Sequence, residues 1–475
     1  MAAHWVLLAG IVMVVGGILV LRLHAFLALV LGAMLVAALT SPAQLEQYAK
    51  GKKLTEKETK QLVQAHPAAR VTKEFGSTAG RIGILIALAS IVGKCVMDSG
   101  AADRIVRSTV KILGEGRAAW SFLVSGYLLG IPIFFDTVFL LMVPLAKAMW
   151  NRTRKNYALY IMATISGGSM TQYLVPPTPG PLAVATELKI DLGMMILMGC
   201  VVGALTALVG MAYAFWMDAR MNLTPPAADV AAAANEVDES QLPGLMVSLA
   251  PILLPVLFIG GATVVSSAYS TQDVAAMSGG AQSVIGAINF LGDANVSLAI
   301  AAGVALLTWL MKKRPDQKQV NHAMSDALAD GGQILLLTAA GGAFGGVLQQ
   351  TGIGDTIKEF VQGSTTGILP IAFVLTMLVR AAQGSATVAM MTTVGMFAAL
   401  ATPEQLGYHP VYLALAIGCG SKPLAWMNDS GFWTIGKTSG MTETETLKTF
   451  TAQTSIEALA GLLILMGMSA VLPLV

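Results

Sequence analysis

Charged side chains are rare within the apolar segments of this sequence, and three of them stand where an apolar run is interrupted. Asp136 ends GIPIFFD (130–136), Asp429 lies in NDSG (428–431), and Lys422 comes shortly before it. Charged groups at membrane depth are costly, so those retained there are candidates for ion and substrate pathways. Where a helix is interrupted, free N–H groups bind anions and free carbonyl groups bind cations. We therefore predict that Asp136 and Asp429 couple a proton or an ion to transport.

Short polar and glycine-rich motifs lie beside these charges. QGSAT (383–387) offers an amide and two hydroxyls, and LVPPTPGPL (174–182) interrupts a helix with four prolines. SGGS (166–169) and GCGS (418–421) offer a hydroxyl and closely approachable backbone, although small residues alone more often indicate close helix packing. These groups suit the oxygens of a hydroxylated carboxylate. The predicted substrate-binding residues are Ser169, Thr171, Pro177, Thr178, Gly180, Gln383, Gly384, Ser385, Thr387, Ser421, Lys422 and Asn428.

The composition indicates which kind of secondary structure carries these residues. Of 475 residues, 55% are hydrophobic and 12% are charged, whereas a soluble domain has about 25% charged residues. Apolar runs of membrane-spanning length recur along the chain, and the alternation of a membrane barrel is absent. The sequence therefore predicts an all-α polytopic membrane protein. A net charge of +2 says little about partners, and no basic, aromatic-interleaved patch indicates binding to nucleic acid, so no nucleic-acid partner is predicted.

About ten transmembrane helices are predicted. Their ranges are 5–21, 25–40, 81–98, 157–185, 192–217, 244–268, 284–311, 327–350, 411–435 and 452–473. Two apolar stretches, 118–149 and 366–400, are too long for one span and are predicted to be re-entrant helical hairpins. Segments 101–117 and 353–364 are predicted interfacial helices. The polar loops 41–80 and 218–243 are predicted to be solvated linkers, the second of them cytoplasmic.

A shift of 252 residues aligns the two halves of the chain. SGAADRI (99–105) then falls on TGIGDTI (351–357), and Pro176-Pro177 falls on Asn428-Asp429. We predict two repeats with an odd number of spans each, hence inverted, with discontinuous helices at the binding site. The first repeat spans 1–217 and consists of helices 5–98 followed by the part 101–217. The second repeat spans 244–475 and consists of helices 244–350 followed by the part 353–473.

The distribution of lysine and arginine predicts the orientation. With both termini outside, most basic residues in the short loops face the cytoplasm. Hairpin 118–149 would then open from the cytoplasm and hairpin 366–400 from the outer side.

Other classes of function fit the sequence less well. It contains no P-loop, HExxH or GxSxG motif, its five histidines are scattered, and its three cysteines are isolated in apolar runs. We therefore predict neither an enzyme nor a bound metal or cofactor. An intramembrane hydrolase that uses Asp136 and Asp429 as a pair, or a channel, stays open as an alternative.

Four motifs in order, GIPIFFD, LVPPTPGP, AQGSATVAM and NDSGFW, resemble the gluconate permease family of bacterial proton symporters. The resemblance runs from about Phe26 to the C-terminus. It implies an inner-membrane protein of the ion-transporter superfamily fold, usually a homodimer, that moves its substrate by an elevator mechanism. It also implies that helices 5–98 and 244–350 form a scaffold, and that 101–217 and 353–473 form the transport part. It also implies a small hydroxylated carboxylate of the sugar-acid type as substrate, taken up with a proton.

The chain departs from the family pattern at four positions. The family commonly has Glu at Asp136, His at Thr178, His at Trp426 and an apolar residue at Lys422. Because two imidazoles that could handle protons are missing, sodium coupling of the transport of an organic acid or small amino acid is an alternative. The Lys422 ammonium is expected either to neutralise Asp429 or to attract the substrate carboxylate.

Overall fold

The structure of the protein is a computed structural model that describes residues 3–21, 23–221, 223–226, 241–269, 271–352, 367–398, 401, 403–427 and 429–474. Over these residues the chain is helical and contains no β-strand, which confirms the predicted all-α class. The predicted interfacial helix 353–364 lies outside the described residues, as do 227–240 of the predicted linker.

The helices are numbered in chain order. They are α1 (Ala3–Leu19), α2 (Ala25–Leu39), α3 (Pro42–Gly51), α4 (Glu56–Gln64), α5 (Pro67–Asp98), α6 (Ala101–Leu113), α7 (Ala118–Leu129), α8 (Phe135–Thr153), α9 (Tyr157–Leu174), α10 (Pro179–Glu187), α11 (Leu192–Asp218), α12 (Leu245–Ala268), α13 (Thr271–Ala276), α14 (Gly279–Gly292), α15 (Ala294–Lys313), α16 (Gln317–Gln349), α17 (Ile368–Gln383), α18 (Ala386–Phe397), α19 (Pro403–Leu406), α20 (Val411–Gly420), α21 (Ser430–Ser439), α22 (Glu443–Thr446) and α23 (Ala452–Val471).

Six helical segments in the described part of the chain are long and apolar enough to cross a membrane. They are α5, α11, α12, α15, α16 and the continuous segment Glu443–Val471, which contains α22 and α23. Shorter apolar helices make up the hairpins and the broken helices. The protein is thus a multi-pass membrane protein, and the total of about ten spans stays a prediction.

The segment 41–80 is largely helical, so its prediction as a solvated linker is wrong. Ser41 and Thr55 each form a capping box, in which the cap side chain and the side chain three residues later satisfy each other's backbone N–H groups. Pro67 occupies the first turn of α5, which begins well before the predicted start at 81. These local signals stabilise helices even though the segment is polar.

The predicted single span 284–311 is also wrong, because the structure divides it at Asp293. The Asp293 carboxylate accepts hydrogen bonds from the N–H groups of Asn295 (3.0 Å) and Val296 (3.1 Å). This side chain caps the start of α15 and separates it from α14.

Each predicted hairpin consists of two helices, α7 with α8 and α17 with α18, as the sequence predicts. The second pair turns at Gly384, whose φ of 78° lies in the left-handed region that glycine adopts without steric cost. In the first pair, residues 130–134 separate the two helices.

Two further helices are interrupted, in agreement with the sequence. Residues 175–178 separate α9 from α10, and Pro176 and Pro177 cannot donate the backbone hydrogen bonds that would continue α9. Residues 421–429 separate α20 from α21, which begins after Asp429 as its N-cap.

The interrupted helices lie at the centre of the protein. Every residue of α20 is buried, and so is every residue of α9 from Tyr157 to Thr171. Large apolar side chains such as Leu307, Leu336 and Leu463 are exposed on the surrounding helices, as expected for surfaces that face lipid. Residues 175–178 are buried as well, so this interruption is enclosed by protein, where irregular backbone is tolerated at membrane depth. The segment that follows α20 is partly exposed, at Leu424, Trp426 and Met427.

Candidate functional site

A cavity of about 170 Å³ lies where both hairpin tips meet the interruption between α20 and α21. Its polar side chains come from four separate helices and the connecting segments. They are Asp136, Gln172, Arg380, Ser385, Thr387 and Asp429. The aromatic side chains of Phe135, Tyr173 and Phe450 complete much of the wall.

Three helix N-termini face this cavity. The first turns of α8 and α18 contribute Asp136 and Thr387 to the wall, and the first turn of α21 contributes Gly431. Helix N-termini carry unpaired N–H groups and the positive end of the helix dipole, so they stabilise an anion. Three of them around one small volume make the cavity suitable for a carboxylate group.

Some of the N–H groups at these termini already have protein partners. Phe135 N–H donates to Gln172 Oε1 at 2.6 Å, and Gly431 N–H donates to Asp429 Oδ1 at 2.8 Å. The Ser385 hydroxyl caps α18 by accepting from Val388 N–H at 3.4 Å. Side chains of the cavity wall therefore also hold the helix ends in place.

Arg380 is the basic residue of the cavity wall. It is 2% exposed, its guanidinium is ion-paired with Asp429, and it donates a hydrogen bond to the Gly384 carbonyl. Its Nε has no hydrogen-bond partner among the described residues. The guanidinium thus joins the hairpin tip to the interrupted helix and brings a positive charge to the cavity wall.

Asp136 differs from Asp429 in its surroundings. Asp136 lies on the cavity wall and forms no ion pair with any described residue, whereas Asp429 is buried and paired with Arg380. Of the two carboxylates predicted to couple transport, Asp136 is therefore the one that can gain or lose a proton without breaking an ion pair.

The structure brings five of the predicted site residues together. Asp136, Gly384, Ser385, Thr387 and Asp429 all line the cavity. The side chain of Gln383 and the whole of Asn428 lie outside the described residues.

The remaining predicted contacts do not line the cavity. The hydroxyls of Thr171, Thr178 and Ser421 are buried and donate to backbone carbonyls within their own turns. Ser169 accepts a hydrogen bond from Lys422. These hydroxyls stabilise the backbone next to the interruptions, and their role as direct contacts stays a prediction.

Pro177 and Gly180 have a backbone role beside the same interruption. Pro177 lies between α9 and α10, and Gly180 lies in the first turn of α10. A Cβ atom at Gly180 would overlap Met390 of α18. The small residue therefore lets α10 approach the second hairpin closely.

The expectation that Lys422 neutralises Asp429 is wrong. The Lys422 ammonium is ion-paired with Glu457 at 2.7 Å, and Arg380 pairs with Asp429 instead. Lys422 is not among the residues that line the cavity. Which charges pair depends on which helices pack together. Glu457 of α23 is 35 residues from Lys422 in the sequence, and helix packing brings the two side chains into contact.

The predicted site residues do not include Gln172, Tyr173 or Arg380, which line the cavity. Arg380 lies one turn before the Gly384 turn, and a charged residue at that distance from a predicted hairpin tip was the available signal. Gln172 and Tyr173 directly precede the proline-rich interruption, but their types alone did not separate them from packing residues.

The fold and the cavity define a helical membrane transport protein. Discontinuous helices that direct their ends at a charged central site are typical of secondary transporters. The crystal structure of the YdaH transporter of Alcanivorax borkumensis is similar in fold, with a TM-score of 0.59 over 85% of this chain and 88% of that chain at 16% identity.

The chain belongs to the GntP family permeases, whose profile matches residues 60–472. It is 32% identical to a gluconate permease of Pseudomonas aeruginosa over 416 residues, which cover 86% of this chain and 90% of that protein. It is 29% identical to the low-affinity gluconate transporter of Escherichia coli (strain K12), with 93% of each protein covered. The predicted family is confirmed, and the protein is a transporter, not an enzyme.

Proposed function

We propose that this protein is a secondary active transporter that imports a small hydroxylated carboxylate, a gluconate-like sugar acid, together with a proton. The observation that carries the proposal is the convergence of three helix N-termini and Arg380 on one small polar cavity. Two of the similar proteins are named for gluconate transport, which supports a sugar acid as the substrate.

The cavity offers separate groups for the two ends of such a substrate. The Arg380 guanidinium and the helix N-termini suit the carboxylate. The hydroxyls of Ser385 and Thr387 and the carboxylate of Asp136 suit sugar hydroxyl groups, which both donate and accept hydrogen bonds. An acid without hydroxyl groups could not form these hydrogen bonds and would bind more weakly.

The substrate is tested by thermal shift and then by uptake. Purified protein is heated with gluconate, with other sugar acids, and with unhydroxylated acids and neutral sugar alcohols of similar size. We expect hydroxylated acids alone to raise Tm and to be taken up by proteoliposomes. Equal stabilisation by hexanoate and gluconate would contradict the proposal.

Imposed gradients distinguish proton coupling from sodium coupling. We expect an inward proton gradient to drive accumulation in proteoliposomes without sodium, because Asp136 is an unpaired carboxylate in the cavity. Accumulation that requires an inward sodium gradient instead would show that sodium, and not the proton, is the coupling ion. Uptake that never exceeds equilibration under either gradient would contradict active transport.

Replacing Thr387 by valine is expected to raise KM about five- to tenfold, because one hydrogen bond to a substrate hydroxyl, about 1 kcal/mol or slightly more, is lost. Thr393→Val is the matched control. Thr393 lies on the same helix, is fully buried, and its hydroxyl has no hydrogen-bond partner among the described residues. Initial uptake rates measured over a range of substrate concentrations give the KM of each variant. Equal KM for both variants would show that Thr387 does not bind the substrate.

Two inverted repeats with the predicted domain boundaries are part of the proposal. Adding 252 to the bounds of α9, α10 and α11 gives 409–426, 431–439 and 444–470, near the observed α20, α21 and α22–α23. Adding 252 to α5 gives 319–350, near α16. This correspondence supports a duplication in which α5 and α16 are equivalent scaffold helices.

An elevator motion is proposed between the scaffold helices and the helices that hold the cavity. Arg81 of α5 is ion-paired with Glu187 of α10 at 3.3 Å, and this contact joins the two predicted parts. Gly345 of α16 and Gly395 of α18 bring their helices so close that a Cβ on either would lie 2.6–2.7 Å from the other's Cα. The small residues form a smooth surface along which the parts can slide.

Cross-linking across this boundary is expected to reduce uptake at least about tenfold. The double variant Arg81→Cys/Glu187→Cys, made after replacing the native cysteines, is joined with a short bifunctional methanethiosulfonate reagent, which forms a disulfide with each cysteine and releases methanesulfinate. Uptake is measured before and after these disulfides are reduced. An elevator must separate these positions, so reduction should restore uptake. Ser90→Cys/Gly331→Cys is the control, since both residues lie on scaffold helices and a Cβ at Gly331 would lie 3.4 Å from Ser90 Cβ. Full uptake by the cross-linked first pair would contradict the elevator.

The remaining proposals concern the membrane. We propose an inner-membrane homodimer with both termini outside, which agrees with the distribution of basic residues. Labelling of single cysteines added at each terminus of the chain tests the orientation in intact cells. If the cysteine at a terminus reacts only after the cells are disrupted, that terminus lies in the cytoplasm, which would contradict the proposed orientation.

A further inference from the structure

A second polar cluster is enclosed in the protein, apart from the substrate cavity. Lys422 Nζ and Glu457 Oε2 lie 2.7 Å apart, and neither side chain is exposed. The ammonium also donates to Ser169 Oγ at 3.1 Å and contacts Met170 Sδ. We call the space bounded by Ser169, Met170, Gln453 and Glu457 the Lys422 chamber.

The chamber lies behind the cavity wall. The Tyr173 ring lines the substrate cavity, and the same ring has its centroid 5.8 Å from Lys422 Nζ. Lys422 and Glu457 do not line the cavity themselves. The ammonium is therefore held on the far side of Tyr173 and does not face the substrate.

The Glu457 carboxylate is positioned by groups other than Lys422. Gln453 Nε2 donates to Glu457 Oε1 at 3.3 Å and to the Met162 carbonyl at 2.9 Å. Gly210 of α11 makes room, since a Cβ there would overlap Glu457 Oε1 and crowd the Ser166 hydroxyl. The carboxylate would consequently stay in place if the lysine side chain were shortened.

The groups around the ammonium are those that bind a small cation. They are a carboxylate and a hydroxyl, with the Met170 thioether sulfur beside them. Lys422 lies two residues after the last residue of α20, where the helix dipole favours positive charge. One positive charge balances the single carboxylate.

We propose that the Lys422 chamber is a monovalent-cation site that the chain fills with its own ammonium group. In the native protein the tethered ammonium excludes free cations from the chamber. Removing it leaves a preformed site for an alkali ion or a primary ammonium ion. This proposal is separate from the identity of the transported acid, because it concerns a chamber that the substrate does not enter.

The test uses Lys422→Ala, which removes the atoms Cγ to Nζ, and n-propylammonium, which has the same atoms. Tm of the purified full-length variant is measured in sodium, potassium, n-propylammonium and choline chloride at equal ionic strength. We expect sodium, potassium or n-propylammonium to raise Tm by several degrees over choline, which is too large and donates no N–H hydrogen bond. The native protein should show no such difference.

Two variants serve as controls. Lys422→Ala/Glu457→Gln removes the carboxylate, and Lys422→Met fills the space with an apolar chain of similar length; neither should respond to the cation. If Lys422→Ala folds poorly, its folded yield from membranes solubilised in n-propylammonium or sodium is compared with the yield in choline. Equal Tm or equal yield in all salts would overturn the proposal, and so would an undiminished response in the double variant.

Discussion

Replacing Arg380 by glutamine is expected to reduce uptake at least about 100-fold. Arg380 is 2% exposed and ion-paired with Asp429, and it provides the cationic side chain of the described cavity wall. Its loss leaves a buried carboxylate unpaired, which typically destabilises a protein by about 3–5 kcal/mol, and removes the counter-charge for the substrate. Initial uptake in proteoliposomes and Tm of the same preparation measure the two effects.

The double variant Arg380→Gln/Asp429→Asn separates stability from binding. Because both charges are removed together, no charge stays buried without a partner, and Tm should return towards the native value. Uptake should remain lost, since the substrate carboxylate still has no cation to bind. Native uptake by the double variant would mean that the ion pair serves the fold alone.

Replacing Asp136 by asparagine is expected to abolish accumulation driven by a proton gradient. Asp136 lies in the first turn of α8 on the cavity wall and forms no ion pair with any described residue. In a proton symporter the carboxylate takes up a proton with the substrate and releases it on the other side, and asparagine can do neither. Exchange of external for internal substrate needs no net proton movement, so counterflow should be retained.

Two variants make this measurement specific. Asp136→Glu keeps the carboxyl group and should keep coupling, although the longer side chain changes KM. Asp103→Asn removes a carboxylate from α6, outside the cavity, and should leave gradient-driven uptake within about twofold of native. Asp136→Asn that still concentrates substrate would place the coupling group elsewhere.

Much of the fold was predictable because its signals are local. The prolines at 176 and 177, the glycine at 384 and the capping side chain of Asp429 each end or start a helix through their own backbone chemistry. The same kind of signal explains the errors. Asp293, Ser41 and Thr55 are N-caps that start helices. The segments 41–80 and 284–311 were predicted from hydrophobicity alone, which does not detect these caps.

The amino-acid sequence was sufficient to predict the family, the all-helical membrane architecture, the positions of the hairpins and interruptions, and five residues of the cavity wall. These follow from composition, helix-breaking residues and motifs, which act over a few residues. Which charges pair depends instead on how the helices pack. Arg380 meets Asp429, 49 residues away, and Lys422 meets Ser169, 253 residues away, because packing of separate helices sets these distances. A buried charge needs a partner of opposite charge, but the amino-acid sequence does not specify which residue the packing brings beside it.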